Sequence, residues 1–168
     1  MTGGHDSFEL INQAFDDLSP AVRVAAAHAL YQLRSDRANS FINAFRDASL
    51  ERRRRMGSAL AESGLAGDAI ANLSSEDLDT AYDAYSMLFL IAQAGEIESL
   101  LRAVEEHHSI VVRQALIQLL ALTKHPGLLP AFNRLAVRQS LPSEVRSALM
   151  QAIHEIRSGS IPAQTSKA

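Results

Sequence analysis

The run Arg52–Arg55 is the densest charge feature of the sequence, with four consecutive guanidinium groups. Such a run could grip phosphate groups or an acidic partner surface. The structural alternative is a solvated helix start in which Arg53 pairs with Asp47 and the other arginines lie near Glu51 and Glu62. Because four consecutive helical residues point almost all the way around the helix, at least one arginine must lie near the core side. Both interpretations stay open at this point.

The segment Glu105–His108, which reads EEHH, has the side-chain types of a zinc site. Neighbouring residues of a helix do not face each other, so these side chains do not converge, and no metal site is expected. The absence of cysteine excludes disulfides, thiolate nucleophiles and cysteine-ligated zinc. Since no other catalytic arrangement stands out, we expect neither enzymatic activity nor a cofactor.

The composition fits one soluble domain. The chain has 168 residues, 47% of them hydrophobic, with no tryptophan and a net charge of −3. A nucleic-acid-binding domain is usually strongly basic, so nucleic acid is not the expected partner. The N-terminus lacks the pattern of a signal peptide, and the longest apolar stretches are too short to span a bilayer. We therefore expect a cytoplasmic protein that does not enter a membrane.

The elements that position these residues form a repeat. Five segments are similar, and taking Arg23, Arg53, Asp79, Arg113 and Arg146 as equivalent gives steps of 30, 26, 34 and 33 residues. Each segment has apolar residues at helical spacing and follows another helical stretch. These first helices are predicted at Phe8–Leu18, Ala38–Asp47, Asp68–Leu73, Ile97–Glu106 and Leu128–Val137. The period predicts an all-α fold of ten helices in five antiparallel pairs.

Capping residues mark where the helices begin and end. Ser19 and Ser75 are predicted to precede second helices, and Gly64, Gly95 and Gly159 are predicted to end them. The repeat domain is expected over residues 7–157. Residues 1–6 and 158–168 have the composition of disordered ends.

The repeated pattern V-R-x-x-A-x-x-A-L resembles the short HEAT repeat of phycobilisome-lyase-type proteins. Val22–Leu30 matches it fully, and Val112–Leu120 and Val145–Ile153 match it well. The resemblance spans roughly Phe8–Arg157 and implies a right-handed α-solenoid of about five stacked antiparallel helix pairs. It also implies a ladder in which an Asp ending one helix pairs with the Arg opening the next. The ladder residues are Asp17, Arg23, Asp47, Arg53, Arg113 and Arg146, and Asp79 interrupts the series.

Two enzymatic branches of HEAT-like proteins do not fit. Deoxyhypusine hydroxylase carries His-Glu pairs early in several second helices, whereas this chain has one such pair, His154-Glu155, late in the last helix. The HEAT-like DNA glycosylases have a basic, aromatic concave face, from which an acidic chain without tryptophan departs. Neither activity is carried over to this chain.

In this family the second helices usually line the concave, binding surface. The resemblance therefore implies an adaptor or scaffold that binds a partner helix or peptide there. The expected partner-binding residues are Tyr31, Arg54, Met87, Ile117, Gln118, Met150 and His154.

Other functions stay open. The chain could be an accessory subunit of an enzyme complex, lyase-like or chaperone-like, or a nucleic-acid binder that uses Arg52–Arg55. A homodimer is a further option for the outward residues. Tyr82, Tyr85 and Phe89 form an i, i+3, i+7 set that either fills the core or offers an aromatic patch.

Overall fold

The computed structural model describes residues 3–33 and 37–159, and within these ranges the chain is helical without a strand. The described part contains ten helices: α1 Gly3–Ala14, α2 Pro20–Gln32, α3 Arg37–Arg46, α4 Leu50–Glu62, α5 Leu65–Asn72, α6 Leu78–Gln93, α7 Glu98–Glu106, α8 Ile110–Thr123, α9 Leu128–Ala136 and α10 Ser143–Gly159. The all-α class is therefore confirmed. None of these helices is both long enough and apolar enough to cross a membrane.

The predicted ends of the domain differ in detail from the helices. α1 already begins at Gly3, inside the segment expected to be disordered, and α10 includes Ser158 and Gly159. Residues 1, 2 and 160–168, which carry the rest of that prediction, lie outside the described residues.

Hydroxyl and carboxyl side chains begin the second helices. The side chain of Ser49 accepts a hydrogen bond from the Arg52 N–H, and Ser109 accepts one from the Val112 N–H, which satisfies an otherwise unpaired donor of the first turn. In α6 this role belongs to Asp77 rather than to the predicted Ser75. Ser19 precedes α2 as predicted, with proline next to it, but its side chain makes no capping bond.

Two glycines end second helices as predicted. Gly64 follows α4 with φ 83°, and Gly95 follows α6 with φ 98°. This left-handed conformation closes a helix at little cost only when no Cβ is present. Gly159 is itself the last residue of α10.

The chain divides into two compact units, the first ending at Leu100 and the second beginning at Leu101. In the first unit α2 packs against α4, α4 against α6, and α5 along α6; in the second, α10 packs against α8 and α9. Both cores consist of aliphatic side chains and phenylalanine, whose removal from water stabilises the helix packing. The largest fully buried side chains are Phe15, Phe41, Phe132, Leu30, Met56, Leu60, Leu88, Ile91, Leu100, Leu116, Ile117 and Leu119.

The ladder arginines do not make the expected Asp–Arg pairs. The Arg23 Nη1 donates to the main-chain oxygen of Asp17 at 2.7 Å, not to its carboxylate, which instead accepts from the Ser19 N–H at 2.7 Å. The Arg53 Nε donates to the Phe45 carbonyl at 2.9 Å, which leaves the exposed Asp47 outside the interaction.

The same geometry recurs in the second unit. The Arg113 Nε donates to the Val104 carbonyl at 2.6 Å and its Nη2 to the Glu105 carbonyl at 2.7 Å, while the Arg146 Nη2 donates to the Arg138 carbonyl at 3.0 Å. The last carbonyls of a helix lack intrahelical donors and carry its negative dipole end, so a forked cation binds them well. We call this contact the arginine tie: an arginine at the fourth position of a second helix bonds main-chain carbonyls at the end of the preceding helix, as Arg53 and Arg113 do, or in the turn that follows that helix, as Arg23 and Arg146 do.

The helix pair α5–α6 lacks an arginine tie. Because α6 begins at Leu78 after the Asp77 cap, the residue four positions after the cap is Ala81. The sequence alignment had placed Asp79 there, which is two residues too early. This repeat therefore lacks the arginine, but the position equivalent to the other arginines is Ala81 and not Asp79.

Candidate functional site

The arginine run is mostly engaged within the chain. The Arg52 Nε lies 3.0 Å from both carboxylate oxygens of Asp16, and Arg55 donates to the Asp16 main-chain oxygen at 3.1 Å. The hydrogen bond from Arg52 lowers the pKa of the Asp16 carboxyl below its usual value. With Arg53 bound to the end of α3, Arg54 is the one member of the run that is exposed and without an ion pair to the described residues.

These contacts within the chain account for the arginine run. Three of its guanidinium groups fix the start of α4 against the turn that follows α1 and the end of α3. A surface that grips nucleic acid places several phosphate-binding cations side by side. Here Arg54 alone keeps its guanidinium for a partner.

The segment Glu105–His108 is also accounted for by local contacts. The rings of His107 and His108 stack with centroids 4.4 Å apart, and the His107 Nδ1 accepts a hydrogen bond from the Ser109 N–H. Glu105 forms an ion pair with Arg138. Over residues 3–33 and 37–159, no three histidine, aspartate or glutamate side chains are placed to hold a metal ion.

Two residues expected on the outward face are buried. Ile117 is 0% exposed and Met87 is 3% exposed, so the prediction that they stand in solvent is wrong. Ile117 lies eight positions after the α8 cap, on a helix that packs closely against α10. A helical wheel of a single helix assigns one buried face, whereas a helix packed between neighbouring helices is buried on more than one face.

The exposure of Met150 also depends on the neighbouring helices. Met150 lies at the position of α10 that corresponds to Ile117 in α8, yet it is 56% exposed, since α10 is the last described helix of its unit. His154, Gln118 and Arg54 are exposed as expected, and Tyr31 is half-buried.

The structure brings two of the predicted residues together in one cleft. Tyr31 near the end of α2 and Met87 on α6 both line a concavity of about 50 Å³ in the first unit, which we call the α5–α6 cleft. Its remaining lining residues come from α5 and α6: Leu65, Ala69, Asn72, Thr80, Asp83 and Ala84.

The α5–α6 cleft has an apolar floor and a polar rim. The floor is formed by buried side chains: Leu65, Ala69, Ala84 and Met87. The rim is formed by half-buried or exposed side chains that present two hydroxyls, an amide and a carboxylate: Tyr31, Thr80, Asn72 and Asp83. Ligand sites commonly combine such a floor with a few placed polar groups.

Local structure fixes the rim. Thr80 stands at the start of α6, where its N–H and hydroxyl both donate to the Asp77 carboxylate. The hydroxyl bond from Thr80 lowers the pKa of Asp77 below its usual value. Asp83 follows one turn later along α6, while Asn72 is the last residue of α5. The rim groups are therefore set by one helix start and one helix end.

The sequence prediction did not include the charge of the segment that contains α5 and α6. Between Arg55 and Arg102 the chain contains eight acidic residues and no lysine, arginine or histidine. Four of these acids lie in the stretch 76–83, which leads into α6. The overall charge of −3 conceals this asymmetry, because the remainder of the chain is rich in arginine. A count of charges along the sequence would have revealed it.

The aromatic set of α6 divides between surface and interior. Tyr82 is 64% exposed, whereas Tyr85 and Phe89 are half-buried. Burial raises the pKa of the Tyr85 phenol. None of the three lines the cleft, and only Tyr82 is placed as a partner-facing aromatic would be.

Comparison with protein-family models, curated proteins and solved structures gives no match for this chain. The geometry of the cleft and the repeat pattern are therefore the basis for a proposed function.

Proposed function

We propose that the chain is a cytoplasmic, non-enzymatic protein–protein interaction module, a right-handed solenoid of five HEAT-like helix pairs. In this proposal it binds a helix or peptide on the face formed by its second helices. Support comes from the recurrence of the arginine tie in four of the five pairs. Such regular stacking suits a framework that presents a surface.

The observation that carries the proposal is the α5–α6 cleft. The repeat pattern alone selected Tyr31 and Met87 as partner-binding residues, and both line it. They come from helices that are far apart in sequence, so their convergence is a property of the fold. Met87 lies on the floor of the cleft and not on an exposed stripe of α6. The proposed binding surface is therefore the α5–α6 cleft alone and not a groove along all the second helices.

The α5–α6 cleft can be blocked without disturbing the core. Asn72 is exposed and is the last residue of α5, where an arginine also interacts well with the helix dipole. Asn72→Arg places a long side chain across the rim. Gln93→Arg is the matched control, because Gln93 is likewise exposed and is the last residue of α6, but lies outside the cleft lining.

The test is selection of 16-residue peptides from an unbiased library on the full chain. We expect Asn72→Arg to weaken the selected peptides at least about ten-fold, a change of about 1.4 kcal/mol, and Gln93→Arg to change affinity less than two-fold. Both variants should melt close to the parent chain. Peptides that bind equally well to both variants, or a library that yields no binder, would contradict the proposal.

A further inference from the structure

We infer that the α5–α6 cleft takes an extended peptide segment, which places one aliphatic side chain on the floor and bonds its main chain to the Asn72 amide. This inference rests on the proposed function and specifies an extended segment instead of a helix as the partner. The reasons are the direction of the cleft, its size and the contacts that its rim side chains already make.

The cleft runs along the seam between α5 and α6. The lining residues of each helix recur at helical spacing and so share one face: Leu65, Ala69 and Asn72 on α5, and Thr80, Ala84 and Met87 on α6. Because the short turn 73–77 joins the two helices, Asn72 and Thr80 lie at one end of the cleft, and Leu65 and Met87 lie at the other. The cleft therefore has a polar end and an apolar end.

The volume of the cleft limits the side chain that it takes. A single buried water needs roughly 10–15 Å³, so about 50 Å³ holds about four non-hydrogen atoms. A leucine, isoleucine or methionine side chain has this size, and the ring of phenylalanine is larger. The floor residues Leu65, Ala84 and Met87 are apolar, and the thioether of Met87 adapts to the shape of a neighbouring group. An aliphatic side chain therefore fits the floor.

Most polar side chains of the rim are already engaged within the chain. Tyr31 and Asp83 each have an interaction with another part of the protein. The N–H and the hydroxyl of Thr80 both donate to the Asp77 carboxylate. Asn72 differs from them, because its exposed side-chain amide makes no hydrogen bond to the described residues. The rim side chain left for a partner is therefore a neutral amide, with N–H donors and a carbonyl acceptor.

The Asn72 amide matches the main chain of an extended segment. Every peptide unit has one carbonyl, and nearly every one has an N–H. In an α-helix these groups bond to each other, whereas in an extended segment they remain unpaired and can bond the Asn72 side chain. The rise of α5 places Asn72 about 10 Å from Leu65 along the helix axis. An extended chain covers this distance in about three residues.

The peptides selected on the full chain test the aliphatic anchor. We expect them to share one leucine, isoleucine or methionine, whose replacement by alanine weakens binding at least about ten-fold. Replacement by phenylalanine should weaken binding to a similar degree, because the ring exceeds the cleft. Affinity should change less than about two-fold between low and high salt, since the contact contains no ion pair. Peptides anchored by an aromatic residue, or a strong salt dependence, would overturn the inference.

Methylation of single main-chain nitrogens in the peptide tests the bond to Asn72. At one position within three residues of the anchor it should weaken binding about five-fold, the effect of one lost hydrogen bond. Asn72→Ala should make that methylation nearly neutral. With the matched control Gln93→Ala, at an exposed helix end outside the cleft lining, the methylation should keep its full effect. Equal effects of methylation in Asn72→Ala and in the parent chain would overturn the contact.

A side-chain lactam that holds the anchor within a helix separates an extended partner from a helical one. The lactam peptide should bind at least about ten-fold more weakly than its open form, and equal or tighter binding would overturn the inference. This comparison needs no variant of the protein, so it decides the question even if Asn72→Ala does not fold. If the lactam peptide binds well and Asn72→Arg still blocks it, the proposed function stands. If Asn72→Arg blocks neither form, both proposals fail.

Discussion

The helix pairs α5–α6 and α7–α8 solve the same packing problem differently. In α7–α8 the residue Arg113 is only 7% exposed, and its guanidinium bonds two carbonyls at the end of α7. In α5–α6 the equivalent position is Ala81, and the pair lines a cleft with an acidic rim. In α7–α8 the polar side chain fixes a helix end, whereas in α5–α6 the polar side chains lie at the rim of a concave surface.

The difference indicates how a repeat can change its role. An arginine tie satisfies carbonyls inside the pair and offers nothing to a partner. A pair without the tie depends on apolar contact for its stability, here between α5 and α6. The polar groups at the mouth of such a pair then lie beside a concave surface instead of binding a helix end.

The largest effect is expected from Arg113→Ala. It removes a buried charged donor and leaves the Val104 and Glu105 carbonyls unpaired, so we expect a loss of about 3 kcal/mol in the free energy of unfolding. Arg113→Lys should recover part of this loss, since lysine keeps the charge without the fork. Chemical denaturation measures both. Arg134→Ala, at an exposed site of α9, is the control and should cost less than about 0.5 kcal/mol; an equal loss there would remove the special status of the tie.

Substitution of one glycine in α4 and one in α5 compares how closely the two helices are packed. A Cβ added at Gly57 in α4 would lie 2.4 Å from the Ala94 Cβ, whereas one at Gly67 in α5 would meet nothing within 4 Å. Overpacking should outweigh the gain in helix propensity, so Gly57→Ala should destabilise the chain by about 1–2 kcal/mol. Gly67→Ala should stabilise it by about 0.5–1 kcal/mol. Thermal unfolding distinguishes the two, and a stabilising Gly57→Ala would show that α4 is less closely packed than described.

The smallest effect concerns the arginine run and pH. The hydrogen bond from Arg52 lowers the pKa of Asp16, so the ionised carboxylate stabilises the folded chain. This stabilisation is present above the usual aspartate pKa of 3.8 and is lost as pH falls through the lowered value. Because the pair is partly exposed, Asp16→Asn should cost less than about 1 kcal/mol at pH 7. Its difference from the parent chain should shrink as the solution is acidified; a difference independent of pH would contradict the assignment.

Much of the fold could be predicted because its signals are local. Helical spacing and the glycines at 64 and 95 act within one or two turns, and the structure places four of the five predicted first helices within three residues of the predicted bounds. The exception is α1, which begins and ends four to five residues before the predicted range. The predicted caps fared worse, because Ser19 makes no capping bond and Asp77 caps α6 in place of Ser75. The arginine positions were also visible. Their acceptors were not, because a main-chain carbonyl leaves no mark in the sequence, and the neighbouring aspartates suggested a different pairing.

The cleft could be predicted only in part. Tyr31, predicted as a partner-binding residue, lines the cleft, but the burial of Met87 and Ile117 depends on which helices cover them, a property that one helical stripe does not contain. The contribution of α5 depends on tertiary packing. The long stretch without basic residues, by contrast, was present in the sequence and points directly to this region.

The most direct test of the central claim is amide chemical-shift mapping of a library-selected peptide on the full chain. We predict saturable shifts at Tyr31, Asn72, Thr80, Asp83 and Met87, with little change near Arg113. Shifts concentrated instead around Met150 and His154 on α10 would contradict it, because the binding surface would then lie on the exposed last helix and not in the α5–α6 cleft.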